Sequence, residues 1–151
     1  MTSITDNETF RAAIQALPCE AQHRLAALFT RRVLPLTGDE RIARVVETAL
    51  KEDATPEELE AAHRMARAAI VDSHCRCGSE CDWREQAAYF VARAAAAAVA
   101  PEKMCLSEGS AWQAALNARM ARTCAAIDDG EVSPEEESRE QFRIASEFLN
   151  R

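Results

Sequence analysis

Four stretches of this chain carry the same start signal, a hydroxyl side chain with Glu three residues on. Thr5 with Glu8, Thr37 with Glu40, Thr55 with Glu58 and Ser133 with Glu136 all have the spacing of a capping box. There the hydroxyl accepts from a backbone N–H of the first turn, and the Glu reaches back to the capping residue's own N–H. Thr55-Pro56-Glu57-Glu58 and Ser133-Pro134-Glu135-Glu136 also place Pro at the first helical position, where its missing N–H costs nothing. Their acidic first turns suit the positive end of the helix dipole. Punctuation of this kind confines the chain to helices.

The apolar spacing between these signals predicts seven helices. The first, about 6–17, carries Phe10, Ile14 and Leu17 on one face. Pro18 opens the second, which runs to about Leu34 with Leu25, Leu28, Phe29 and Val33 inward. The third, about 38–52, uses Ile42, Val45, Val46, Ala49 and Leu50; the fourth, about 56–72, uses Leu59, Ala62, Ala66, Ala69 and Ile70. A fifth is expected from about Asp82 to Val99, with Trp83 anchoring a stripe of Ala87, Phe90, Val91 and Ala94 before Pro101 stops it. The sixth, about 108–128, carries Trp112, Ala115, Leu116, Met120 and Ile127, with Gly130 placed for a C-terminal cap. The seventh, about 134–149, carries Phe142, Ala145, Phe148 and Leu149. No run alternates with period two, so the fold class is all-α, a single-domain bundle over 1–151.

What these helices can pack is set by alanine. Ala occurs 31 times, against 28 for Leu, Ile, Val and Phe together. The larger residues thus fall below the ~20% level that accompanies disorder when net charge is high. A net charge of −7 and well-capped periodic segments argue for folding instead. The expected core is closely packed but thin, and would gain from a staple: a metal, a partner or a second copy in a homo-oligomer.

Several classes are excluded at this point. The longest apolar tract, Ala94 to Ala100, is far short of a membrane span. The acidic balance disfavours nucleic acid, which needs a basic face to displace counterions. Met1 to Phe10 lacks a basic segment followed by an apolar run, so the expected compartment is the cytoplasm, where thiols stay reduced. Residues 128–151 hold eight acidic and three basic side chains. That segment is either a solvated face or a docking surface for a basic protein partner.

The residues that could carry chemistry are concentrated in His74-Cys75-Arg76-Cys77-Gly78-Ser79-Glu80-Cys81, which holds three of the six cysteines. His74, Cys75, Cys77 and Cys81 are a thiolate and imidazole set of the kind zinc prefers, and Gly78 permits a tight turn. Cys75 and Cys77, separated by one residue, strain a single tetrahedral site, and Cys105 is a distant alternative to His74. A redox-active thiol pair, or small side chains packed at a helix junction, are the competing readings. Cys19 and Cys124 read as core residues within helix stripes.

A second constellation is the pair Glu20-x-x-His23 and Glu60-x-x-His63. Di-iron bundles use two such motifs with a Glu from each of two further helices, here Glu8 and Glu47. Both motifs fall at helix starts, and His23 points away from the Leu25 and Leu28 face. With only four Gly, the chain has no glycine-rich phosphate loop.

Residues 23–69 contain a helix ending in basic residues and Leu34-Pro35, a turn into Asp39-Glu40-Arg41, and a helix with Glu47-Thr48-Ala49. A second turn leads into Thr55-Pro56-Glu57-Glu58-Leu59 and an Ala-rich helix. This stretch resembles alanine-rich, all-helical bacterial immunity proteins of polymorphic toxin systems. The resemblance implies a non-enzymatic protein that binds and blocks a toxin domain, and an acidic surface would steer it to a basic target. The expected function is therefore a binding module, with a zinc-binding helical protein as the alternative and a thiol or di-iron enzyme behind it.

Overall fold

The computed structural model describes residues 3–76, 82–129 and 131–151. Among the described residues the protein is all-α, with seven helices and no strand. They are α1 (Asn7–Gln15), α2 (Cys19–Val33), α3 (Glu40–Leu50), α4 (Pro56–Arg76), α5 (Trp83–Ala98), α6 (Ser110–Asp129) and α7 (Pro134–Leu149). A 3-10 turn follows α2 at Leu34–Leu36, and a single helical turn, Glu102–Met104, runs into a π turn at Cys105–Gly109. No helix among the described residues is long and apolar enough to cross a membrane.

Of the four capping boxes one closes in both directions and a second through its hydroxyl alone. At α4 the Glu58 N–H donates to Thr55 Oγ1 at 3.1 Å, and the Thr55 N–H donates to Glu58 Oε1 at 3.4 Å. At α7 the Glu136 N–H donates to Ser133 Oγ at 3.1 Å. The other two yield to a neighbouring Asp. Asp6 caps α1 by accepting from the Thr9 N–H, and Asp39 caps α3 by accepting from the Arg41 N–H. A carboxylate both caps and complements the helix dipole, so it displaces the hydroxyl one or two residues upstream. Gly130 lies outside the described residues.

The core has two parts. The smaller is aromatic: Phe10 and Ile14 of α1 meet Leu25 and Phe29 of α2, with Trp112 and Phe142 against them. The Phe10 ring lies 5.1 Å from that of Phe142 and 5.7 Å from that of Phe29. The larger part is built on alanine. Ala94, Ala95 and Ala98 of α5 pack with Ala114, Ala118 and Ala121 of α6, flanked by Val33, Val45 and Val46. Helix α5 packs against α2, α3, α4 and α6, so it occupies the middle of the bundle.

Three side chains read as inward are exposed: Trp83 at 43%, Met120 at 43% and Ile127 at 55%. Trp83 is the first residue of α5, and Met120 and Ile127 share a stripe on the outer side of α6. The buried side of α6 is instead the stripe of Ala111, Ala114, Ala118 and Ala121, which its larger apolar residues mask in a periodicity count.

One acidic residue of the C-terminal segment is not solvated at all. Glu137, fully buried on α7, sits 2.6 Å from Arg32 Nε and 2.8 Å from Arg122 Nε. Arg122 Nη2 also donates to the Arg32 carbonyl at 3.0 Å, so one carboxylate ties α2, α6 and α7 together. Nearby, Arg119 Nε donates to Gln141 Oε1 at 2.8 Å, and Gln141 Nε2 donates to the Ala115 carbonyl at 3.1 Å. The Arg119 guanidinium lies 5.3 Å from the Phe10 ring centroid, where ring quadrupoles offset its burial.

Replacing Glu137 by Ala leaves two guanidiniums facing a buried void. The expected loss in unfolding free energy is about 3 kcal/mol, the low end for breaking a buried pair, because both arginines keep some solvent. Denaturant unfolding measures it. A loss below about 1 kcal/mol would show the pair to behave like a surface contact.

Candidate metal centre

The sequence placed its ligands at 74–81, and the structure describes only the beginning of that stretch. Helix α4 continues to Arg76, so His74 and Cys75 are helical rather than part of a loop. His74 is exposed, with its ring 5.7 Å from that of Tyr89. Cys77 and Cys81, and the side chain of Cys75, lie outside the described residues.

Elsewhere three ligand atoms do come together. Cys19, His23 and Cys105 hold their side-chain donor atoms within 4.8 Å of one another. Cys19 and His23 are four residues apart on the first turns of α2, a spacing that stacks side chains on one face. Cys105 arrives from the far side: Pro101 follows the end of α5, the chain makes one helical turn, and the π turn begins at Cys105. Its Sγ donates to the Cys19 carbonyl at 3.7 Å.

One edge of the group has the length a tetrahedral ion would require. Cys19 Sγ lies 3.6 Å from His23 Nε2. Zn–S and Zn–N bonds of ~2.3 and ~2.0 Å at a tetrahedral angle give an S···N edge of roughly 3.5 Å. The same Nε2 is 2.7 Å from the Ala100 carbonyl, which fixes it as the protonated nitrogen of the metal-free ring. An ion bound at Nε2 would have to replace that proton and its hydrogen bond.

The site's electrostatics follow from burial. Desolvation, then the neighbouring Cys105 thiol and the charge of Glu102, push the Cys19 thiol up to about 12. Without metal the thiol is protonated at neutral pH and a poor nucleophile, which argues against unassisted thiol catalysis. Burial lowers the pKa of His23, against the opposing pull of the Ala100 carbonyl. Burial also lowers that of His63, aided by the charges of Arg67 and His23. Both imidazoles are neutral at physiological pH, the form in which a ring nitrogen ligates.

Around this group the surface is concave. A cleft of about 520 Å³ is walled by His23, Leu59, His63, Val99, Pro101 and Glu102. A second hollow of about 510 Å³ shares His23, Leu59 and Glu102 and includes Cys19. His23 and Glu102 line both hollows and Cys19 lines one of them, whereas Cys105 is fully buried behind them.

The di-iron constellation does not assemble. Glu8 and Glu47 are exposed on α1 and α3, and Glu60 pairs with Arg64 at 2.9 Å. Among the described residues the one group of three or more that could hold an ion is Cys19, His23 and Cys105. The sequence reading found His23 but paired it with Glu20 and took Cys19 for core; the overlooked signal was Cys19-x-x-x-His23 on one helix face. Cys124 is core as read: it is buried, and its Sγ donates to Gln86 Oε1 at 3.9 Å.

Comparison with protein-family models, with curated proteins and with solved structures gives no significant match.

Folding lowers both cleft imidazole pKa values, so as pH falls the unfolded chain takes up protons first. The stability of the neutral rings is complete above the ordinary value of 6.5 and is lost as pH drops below it. The melting temperature of metal-free protein is expected to fall over that window. In His23→Gln, which keeps an amide donor for Ala100, the fall should be shallower. An identical pH profile in the variant would assign the effect to other groups.

Proposed function

We propose that this chain is a zinc-binding helical protein whose ion sits on Cys19, His23 and Cys105. The observation that carries the reading is the convergence of two thiols and one imidazole, from two separate elements, within 4.8 Å. Soft thiolate with imidazole favours zinc among the common divalent ions. Three protein ligands leave a fourth position facing the cleft, to be filled by Glu102 or by water.

The ion would act first as a staple, joining the start of α2 to the π turn ahead of α6 in a core poor in large side chains. Binding requires the two thiols to lose their protons, so affinity rises with pH.

Protein purified without a tag and analysed for metals should carry about one zinc per chain. The Cys19→Ser and Cys105→Ser variants should lose it, and chelation should lower the melting temperature. The Cys75→Ser, Cys77→Ser and Cys81→Ser variants should keep it; loss of zinc there would move the site to the 74–81 stretch. A metal-free protein of unchanged stability would end the zinc reading altogether.

A second reading, a module that binds another protein, is favoured by one observation. Trp83, Met120 and Ile127 are large, exposed and apolar, on α5 and α6. If this surface docks an immunity-type target, co-expression should protect cells from a toxin domain encoded beside the gene. Trp83→Ala with Ile127→Ala should abolish protection without changing the melting temperature. Absence of such a gene, or of protection, removes this reading.

A further inference from the structure

A separate cavity of about 150 Å³ lies between α4, α5 and the start of α6. At ~30 Å³ of liquid volume per water it has room for roughly five waters. Its wall combines two charges that are not paired with each other and a buried hydroxyl without a partner.

The hydroxyl belongs to Ser110, only 2% exposed. Elsewhere in the protein Thr30, Thr48, Thr123 and Ser138 each donate to the carbonyl four residues back. Ser110 does not, and its Oγ has no hydrogen-bond partner. The cause is local. The preceding turn is a π turn, and the Ser110 N–H bonds to the Cys105 carbonyl, five residues back. Gly109 completes that turn at φ 75°, and a Cβ there would lie 3.1 Å from Gln15 Nε2. Buried hydroxyls find partners as a rule, so an orphan at a cavity wall points to something that fills the cavity. Irregular turns of this kind recur at functional sites.

The charges are Arg93 on α5 and Glu108 on the π turn, both exposed and both lining the cavity. Neither forms an ion pair among the described residues. Arg93 instead lies over the Tyr89 ring, 5.7 Å from its centroid. A simple anion would suit Arg93 and meet Glu108; a simple cation would do the reverse. A small zwitterion satisfies both, its carboxylate on the guanidinium and its ammonium on the carboxylate. Ile70, Ala96, Ala97 and Met104 supply an apolar wall for a side chain.

We infer that this cavity is a binding site for a small zwitterion of free amino-acid size, held by Arg93, Glu108 and the Ser110 hydroxyl. The inference is independent of the metal centre.

Calorimetric titration of the full chain with L-alanine, L-valine and L-leucine tests it, alongside the N-acetyl and amide derivative of each. At least one free amino acid should bind, and its two blocked forms should bind at least about tenfold more weakly. Arg93→Met and Glu108→Gln should each weaken binding by roughly tenfold or more. Ser110→Ala should weaken it several-fold while the helical circular dichroism stays unchanged. Any of three results would overturn the inference. In one, no free amino acid binds the folded wild type, and the cavity holds water only. In another, acetate or methylamine binds as tightly as the amino acids. In the third, affinity is indifferent to Arg93→Met and Glu108→Gln.

Discussion

Helix α5 can run through the middle of this bundle only because its buried side is alanine. Ala87, Ala94, Ala95 and Ala98 are all but fully buried, and the side of α6 that meets them is alanine as well. Two such faces let helix axes approach the lower end of the usual 8–10 Å range. Alanine also loses no side-chain entropy on burial and has the highest intrinsic helix propensity. The counterpart is a small hydrophobic return, since each methyl removes little area from water and burial is worth only ~25 cal/mol per Å². Everything else in the fold answers to that trade. Four of the aromatic side chains, Phe10, Phe29, Trp112 and Phe142, are gathered into a single group apart from the alanine faces. Branched side chains such as Ile42, Val45 and Val46 fill in around the alanines, and polar ties join α7 to α2 and α6.

The strongest of those ties is Glu137 between Arg32 and Arg122. Buried ion pairs add little net stability compared with a well-packed apolar substitute, because desolvation consumes most of the attraction. What this one adds is uniqueness. Alanine faces slide on one another with few steric landmarks, whereas a carboxylate bonded to Nε of two arginines allows one register of α7 on α2 and α6. The Gln141 bridge between Arg119 and the Ala115 carbonyl fixes the same register one turn further on.

Element type was legible wherever local chemistry decides it. Thr55 and Ser133 cap because Pro follows each of them and no Asp stands between them and the helix, whereas Asp6 and Asp39 took over from Thr5 and Thr37. The burial of α6 was read correctly at Ala115 and misread further along, for the opposite reason. Its conspicuous residues, Met120 and Ile127, lie outside, while the alanines beside them carry the packing. Glu137 was invisible in the sequence because its neighbours Glu135 and Glu136 are acidic and exposed, and only tertiary contact separates them. The candidate metal group was half legible. Cys19 and His23 share a helix face, but Cys105 joins them through a turn that no periodicity encodes.

That turn links the two sites. A regular α-helix from Glu102 through α6 would leave no reason for Ser110 to forgo a carbonyl four residues back. Widening by one residue between Cys105 and Gly109 changes the phase of the chain. At its start Cys105 is buried against Cys19, and at its end the Ser110 hydroxyl is free at the wall of the small cavity. A π turn sacrifices good hydrogen-bond geometry, and such a loss persists only where surrounding contacts hold it. Here the holding contacts lie at both ends, the thiol against the start of α2 and Gly109 against Gln15 of α1. An ion on Cys105 would hold the first end more firmly than a single weak S–H donor can.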